Sequence, residues 1–254
     1  MTRFTGKFAC GIAAAALLAG CAPSGPSTER PTLHLLTTSS LFWGEGDIAS
    51  AVQRKTERPP LIGHLESAWR IVPLDIARPG QLKSVSLLFI IQPQALAPDE
   101  LVALDDWVRA GGHVLILADP DLRRSSSLPK GDARQPPPST LLLPLLTHWG
   151  LTLVPDPPGA PLRVIRSADG LVPAPGSGRW ISQSRDCTVT AAVIARCTLG
   201  KGVAVSVADA DFAISAKDSA TQEAAQWLID QLLEGLAPNQ KRTKEENRAG
   251  KGKI

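Results

Sequence analysis

The sequence predicts a single α/β domain in which helices cover both faces of a mostly parallel sheet. Three observations carry that expectation. Two uninterrupted apolar runs, Val85–Ile91 and Val114–Ala118, have the pattern of strands covered on both faces. A helix-period stretch, Pro98–Ala110, lies between them, and the connections on either side are short. Strand, helix and strand in that order need a right-handed crossover, which makes the two strands parallel.

The other elements follow along the chain. Thr32–Leu36 reads as a first strand running into a hydroxyl-rich turn, Thr37-Thr38-Ser39-Ser40. Asp47 is placed to cap a helix to about Lys55. Leu61–Ala68 reads as a second helix, and Trp69–Leu74 as a strand that Pro73 confines to an edge. In Pro98–Ala110, proline sits at the first helical position, Asp99 and Glu100 meet the positive end of the dipole, and Gly111-Gly112 ends the turn. Arg123–Pro138 is a long polar, proline-rich loop of the kind that carries function or moves. Ser139 is placed to cap a helix over Thr140–Trp149, and Leu151–Val154 and Leu162–Arg166 read as short strands. Cys187–Cys197 and Val203–Ala208 read as two strands joined at Gly200-Lys201-Gly202, and Gln222–Leu236 as the last helix.

Composition bounds the partners. At 254 residues and 43% hydrophobic, the chain can fill one sizeable core, so a mainly disordered or collagen-like chain is excluded. The formal net charge is +3, but it is unevenly held. Six basic residues against Glu245 and Glu246 give the tail from Pro238 an excess of four, and Arg3 and Lys7 hold two more. Residues 21–237 are therefore at −3, which argues against a nucleic-acid partner for the domain. The tail, 238–254, reads as solvated and unstructured.

Residues 1–20 read as an export signal: Arg3 and Lys7 precede an apolar stretch, Phe8–Gly20, too short to cross a bilayer. That stretch runs into Leu18-Ala19-Gly20-Cys21, which resembles the lipobox of bacterial lipoproteins. The resemblance implies cleavage before Cys21, a diacylglyceryl thioether on its sulfur and acylation of its new amine, with palmitate-like chains. Three chains hold where one is marginal. Ala22 follows the cysteine; the aspartate that retains enterobacterial lipoproteins in the inner membrane is missing, which favours the outer membrane. Residues 21–31 then read as a lipidated tether ahead of the domain at 32–237. With Cys10 and Cys21 accounted for, Cys187 and Cys197 are left as an even pair in an oxidising compartment, where a disulfide is expected.

Three stretches carry a family likeness. The first is Ser86–Pro93, Leu96–Leu101, Leu104–Gly112 and Leu115–Pro120 taken together; the second is Leu142–Leu146 with Trp149-Gly150-Leu151; the third is Gly200-Lys201-Gly202 with Ala208–Phe212. They resemble the periplasmic domain of gliding-motility-type ABC-transporter auxiliary proteins. That resemblance implies a flavodoxin-like, class I glutamine amidotransferase-like fold and a partner among ABC transporter components. Members of that group usually span the membrane, whereas here a lipid is expected to replace the helix.

No reaction is legible. An amidotransferase needs a cysteine nucleophile on a sharp strand-to-helix turn with a histidine nearby, and the strand end Leu117-Ala118-Asp119-Pro120 has no thiol. No serine nucleophile elbow, phosphate loop or zinc spacing occurs, and no cofactor is expected. His34, His64, His113 and His148 are scattered. The candidate ligand edge consists of Thr37, Thr38, Ser39 and Trp43 after the first strand, Asp119 and Asp121 after another, and Asp209 and Asp211 after a third. Parallel strands would bring all of these to the carboxyl edge, where open α/β sheets bind ligands. The four aspartates would suit Mg²⁺ or Ca²⁺, although aspartates after strands more commonly cap helices or fix turns. The reading adopted is a non-catalytic, periplasm-facing envelope lipoprotein that binds a protein or ligand. Its alternatives are a divalent-metal hydrolase built on the aspartates and a structural tether to the cell wall through the basic tail.

Overall fold

The computed structural model describes residues 30–46, 58–157, 178–215 and 218–237, isolated positions between 49 and 56, and the backbone of two strands at 163–167 and 170–174. The export segment, Cys21, most of the tether and the basic tail lie outside the described residues, as does most of the helix expected over Asp47–Lys55.

A seven-stranded sheet forms the centre. Its strands are β1 (Thr32–Thr37), β2 (Arg70–Pro73), β3 (Leu87–Ile91), β4 (His113–Leu117), β9 (Cys187–Thr190), β10 (Ile194–Leu199) and β11 (Gly202–Val207). Their order is β2-β1-β3-β4-β11-β10-β9. The pairs β1–β2, β1–β3, β3–β4 and β4–β11 are parallel, and only β10 runs against its neighbours. Two further ribbons are antiparallel: β5 (Leu151–Pro155) with β8 (Gly178–Ser182), and β6 (Arg163–Ser167) with β7 (Gly170–Ala174).

Seven helices complete the described residues: α1 (Ser39–Trp43), α2 (Pro60–Ala68), α3 (Pro79–Leu82), α4 (Pro98–Ala110), α5 (Leu143–His148), α6 (Asp211–Ile214) and α7 (Ser219–Leu236). The period of two along the strands divides the core. Leu33, Leu35, Phe89, Leu115 and Val205 face α1, α2, α6 and α7. Leu88, Ile90, Val114, Ile116 and Ala204 face α3, α4, α5 and β8. All five residues of β3 are buried, as its continuous apolar run demands. None of the described helices is long and apolar enough to cross a membrane.

The α4 unit matches the sequence closely. Pro98 opens it, the Glu100 carboxylate reaches back to accept the Ala97 N–H at 2.8 Å, and Gly111 closes it at φ 124°. Gly202 is required by contact: a Cβ there would lie 1.9 Å from the Val108 carbonyl oxygen, so α4 packs directly on the start of β11.

Other elements differ from expectation. The Thr37–Ser40 turn already passes into α1 at Ser39. α5 starts three residues later than expected, because Thr140 N–H bonds the Asp119 carbonyl at 2.7 Å and Pro144 belongs in the first turn. Ser139 therefore caps nothing; the N-cap position is Leu142. The Cys187–Cys197 stretch is a hairpin and not one strand. β9 and β10 are joined by Ala191-Ala192-Val193; Val193 N–H bonds the Thr190 carbonyl at 3.1 Å, and Ala191 and Ala192 between them have φ 51° and 60°, the left-handed signs of a type I′ turn. Cys187 and Cys197 stand opposite each other across it and form a disulfide.

Candidate functional site

The carboxyl ends of β1, β3, β4 and β11 point to one edge, as their parallel pairing requires. The sequence-picked residues gather there in two groups, separated by β3. Thr37 Oγ1 donates to the Ile91 carbonyl at 2.7 Å and so ties β1 to β3. Thr38 and Ser40 are buried, and their hydroxyls have no partner among the described residues. Ser39 is exposed on the first turn of α1. Trp43 is 45% exposed and meets Phe42 edge-on with ring centroids 4.6 Å apart.

The aspartates serve the backbone. Asp119, fully buried, accepts Asp121 N–H at 2.8 Å with one oxygen, and Ala210 N–H at 2.8 Å and Asp211 N–H at 3.3 Å with the other. It thereby ties the end of β4 to the start of α6. Asp209 accepts Phe212 N–H at 3.3 Å. Both Asp211 oxygens accept Arg123 N–H at 3.0 Å, and Ser215 donates to one of them. Burial, and then the neighbouring Asp119 charge, push the Asp211 carboxyl above its ordinary range despite those bonds. Asp121 pairs with the exposed Arg123 at 2.9 Å. Among the described residues no group of three or more His, Cys, Asp or Glu is placed to hold a metal ion. The hard-cation reading of the four aspartates therefore finds no cage.

What the sequence did not show is how the long loop is used. It folds back over the carboxyl edge. Gln92, buried at the end of β3 with φ 41°, donates to the Asp119 and Pro137 carbonyls and accepts Asp119 N–H. Gln94 donates to the carbonyls of Ala133 and Gln135. Ser40 N–H bonds the Arg134 carbonyl, and Leu122 N–H bonds that of Pro138.

Farther along, Glu45 pins the loop from the β1 side. It contacts Arg124 at 2.6 Å and accepts both the Ser127 N–H and the Ser127 hydroxyl, at 2.6 and 2.7 Å. Burial by itself would raise the Glu45 pKa; hydrogen bonds from Ser126, Ser127 and Arg124 outweigh it and bring it down to about 2.

Between this loop, the start of α2 and α6 lies an open cleft of about 880 Å³, walled by Glu45, Arg58, Arg123, Arg124 and Ser125–Ser127, with Ile214 and Gln222 opposite. Neither the Thr37–Trp43 group nor the aspartates line it. Asp211 and Asp121 instead hold Arg123 in its wall. Arg58 is held by a two-pronged bond to Glu66, at 3.1 and 2.9 Å. The wall presents guanidinium groups that carboxylates hold in fixed positions, which suits recognition. The carboxylate beside Ser127 is held in its charged form by the bonds it accepts. The signals for this site in the sequence were the Arg-Arg-Ser-Ser-Ser run and a glutamate between two glycines; nothing local joins positions so far apart.

Comparison with solved structures gives the fold. The chain is similar to a structure described as the "mmIFT52 N-terminal domain" at 14% identity and TM-score 0.51, over 83% of this chain and 98% of that one. It also matches the exo-beta-1,4-mannosidase Op5Man5 from Opitutaceae bacterium strain TAV5 at 17% identity and TM-score 0.47, over 81% of this chain. A beta-galactosidase from Bacillus circulans sp. alkalophilus matches at 13% identity and TM-score 0.44, over 82% of this chain. The chain spans only 36% and 32% of those two enzymes. No curated protein matches the sequence. Residues 32–160, from β1 through the loop that walls the cleft to just beyond β5, match the family described as an ABC-type uncharacterized transport system, and since that is half of the chain, the protein belongs to this family.

Proposed function

We propose that this protein is a lipid-anchored, periplasm-facing accessory subunit of an ABC transport system, acting by binding and not by catalysis. The observation that carries the reading is the family match over residues 32–160, which includes the Arg123–Pro138 loop and one wall of the cleft. The order β2-β1-β3-β4-β11 supports a flavodoxin-like, amidotransferase-like core, in which ligands are met at the carboxyl edge beside the strand-order reversal. The Leu18–Cys21 box supports the anchor, and Ala22 supports outer-membrane delivery.

Two measurements test this. Intact mass of the chain extracted from envelopes should show a new amino terminus at Cys21 carrying a glyceride and an amide-linked acyl chain; an unmodified, uncleaved chain would remove the anchor. Detergent purification with the anchor intact should bring down an ABC ATPase and its permease, and Arg124→Glu with Ser126→Trp should release them. Co-purification indifferent to those cleft changes would remove the cleft from the reading, and purification of the chain alone would remove the transporter.

A further inference from the structure

A turn in the long loop lies across the carboxyl ends of β1 and β3. The Asp132 carbonyl accepts Gln135 N–H at 2.9 Å, and Asp132 Oδ1 accepts Arg134 N–H at 2.9 Å, so the turn is organised by its own residues. Its outward carbonyls meet the strand ends. Ser40 N–H, just past β1, bonds the Arg134 carbonyl at 3.1 Å. Gln94 Nε2, just past β3, donates to the Ala133 and Gln135 carbonyls at 3.0 and 2.6 Å. Gln92 Nε2 donates to the Pro137 carbonyl at 3.2 Å. β1 and β3 are the pair beside which the order β2-β1-β3-β4 reverses. The crevice outside such a pair is where open α/β sheets meet their ligands, and here Ala133–Pro137 fills it with the chain's own backbone.

The filling is polar and incomplete. Neither hydrophobic core cluster includes a residue of Arg123–Leu141, and of Ala133–Pro137 only Pro137 is buried. A segment held by hydrogen bonds at the surface, with little apolar burial, opens well before the sheet does. Beside the contact, Thr38 and Ser40 are 3% and 1% exposed, and their hydroxyls have no partner among the described residues. Buried donors left unmet are costly, and an occupant that reached them would recover that cost. Gln92 sits at φ 41°, a strained conformation of the kind kept at ligand clamps. A hinge precedes the turn: Gly131 has φ 83°, and a Cβ there would meet nothing within 4 Å.

We propose that Ala133–Pro137 is a displaceable plug, and that it stands in for a proline-flanked turn of a partner protein, which the same donors would hold by its carbonyls. The donors are neutral amides, so recognition rests on direction and spacing and not on charge. Prolines after the turn limit the freedom lost on binding. The proposal deepens the binding reading above: it gives the kind of partner the carboxyl edge takes and what keeps that partner out.

The test uses the full chain purified in detergent and a fluorescein-labelled peptide of residues Pro129–Ser139. In the parent, amide exchange at Ser40 should be faster than in β3. Changing Ala133–Pro137 to five glycines removes the prolines and the Arg134 side chain, and should speed exchange at Ser40 about a hundredfold. By fluorescence anisotropy the parent should bind the peptide poorly, because the plug competes at about millimolar effective concentration. The glycine variant should bind it at least about tenfold more tightly. Adding Gln94→Ala to that variant removes two donor bonds and should weaken binding about tenfold. A peptide of the same residues in scrambled order should not bind, and circular dichroism should show both variants folded. Exchange at Ser40 as slow as in β3, equal binding by parent and glycine variant, no binding by the variant, or binding indifferent to Gln94→Ala overturns the plug. None of these outcomes touches the transporter association, and purification of the chain without a transporter leaves the peptide result standing.

Discussion

Glu45 and Arg124 meet at 2.6 Å in the wall of the cleft, with side chains 13% and 14% exposed. One comes from the short segment after α1 and the other from the long loop after β4, so the contact couples the ends of β1 and β4 without touching the sheet.

Replacing that carboxylate should loosen the loop. Glu45→Gln keeps the shape but loses the charge on bonds to Arg124 and Ser127, and bonds to a charged group are worth about 2 kcal/mol. Amide exchange at Ser127 should speed up about thirtyfold. The pH dependence has a definite sign. The Glu45 carboxyl is depressed to about 2, so its contribution is complete above its ordinary value of 4.5 and is lost as pH falls towards 2. Exchange at Ser127 should show that window, and the variant should not.

Asp211 behaves in the opposite sense. Its carboxyl is raised by burial and by Asp119, so the charged form costs stability at neutral pH, and the cost disappears as pH falls below the ordinary value of 3.8. Asp211→Asn, whose amide oxygen can still accept from Arg123 N–H and Ser215, should unfold slightly later than the parent at pH 7. The difference should shrink in melts below pH 4.

Asp119 should prove structural. Asp119→Ala strands the buried Ala210 N–H and frees the part-buried Asp121 N–H to solvent, at about 2 kcal/mol in urea unfolding. Calorimetry with Mg²⁺ and Ca²⁺ should register no binding heat before or after the change. Heat that the substitution abolishes would restore the metal reading.

The turn at Ala191-Ala192 has room for improvement. Two alanines at positive φ carry strain that asparagine and glycine relieve. Ala191→Asn with Ala192→Gly should stabilise by about 1 kcal/mol, read as a shift in the urea midpoint.

Removing the cross-strand link should cost more. Cys187→Ala with Cys197→Ala opens a bridge spanning ten positions, and closure entropy for such a loop corresponds to about 2–3 kcal/mol. The urea midpoint should fall accordingly while the far-ultraviolet spectrum stays the same.

These cases also mark what the sequence could tell. Val85–Ala118 was legible because hydrophobic period, Pro98, Glu100 and Gly111 all signal the same strand–helix–strand unit. The β9–β10 hairpin was hidden because Ala-Ala carries none of the usual signal for the turn it makes. The aspartates were found, and so was their edge, but Asp119 and Asp211 take backbone N–H partners distant in sequence, such as Ala210 for Asp119 and Arg123 for Asp211. Nor could composition assign Glu45, 79 positions before Arg124, to a loop it never approaches along the chain. Long-range polar contacts leave no periodic trace, and the cleft is made of them.

The margins of the sheet have a consequence for crowding. β2 is four residues long, carries Arg70 at one end and finishes in Pro73, which has no amide hydrogen to offer. On the far margin β9 is equally short and fastened to β10 by the cystine. Neither rim invites a second molecule to add a strand, so copies packed side by side can remain separate molecules and avoid growing into a shared fibre.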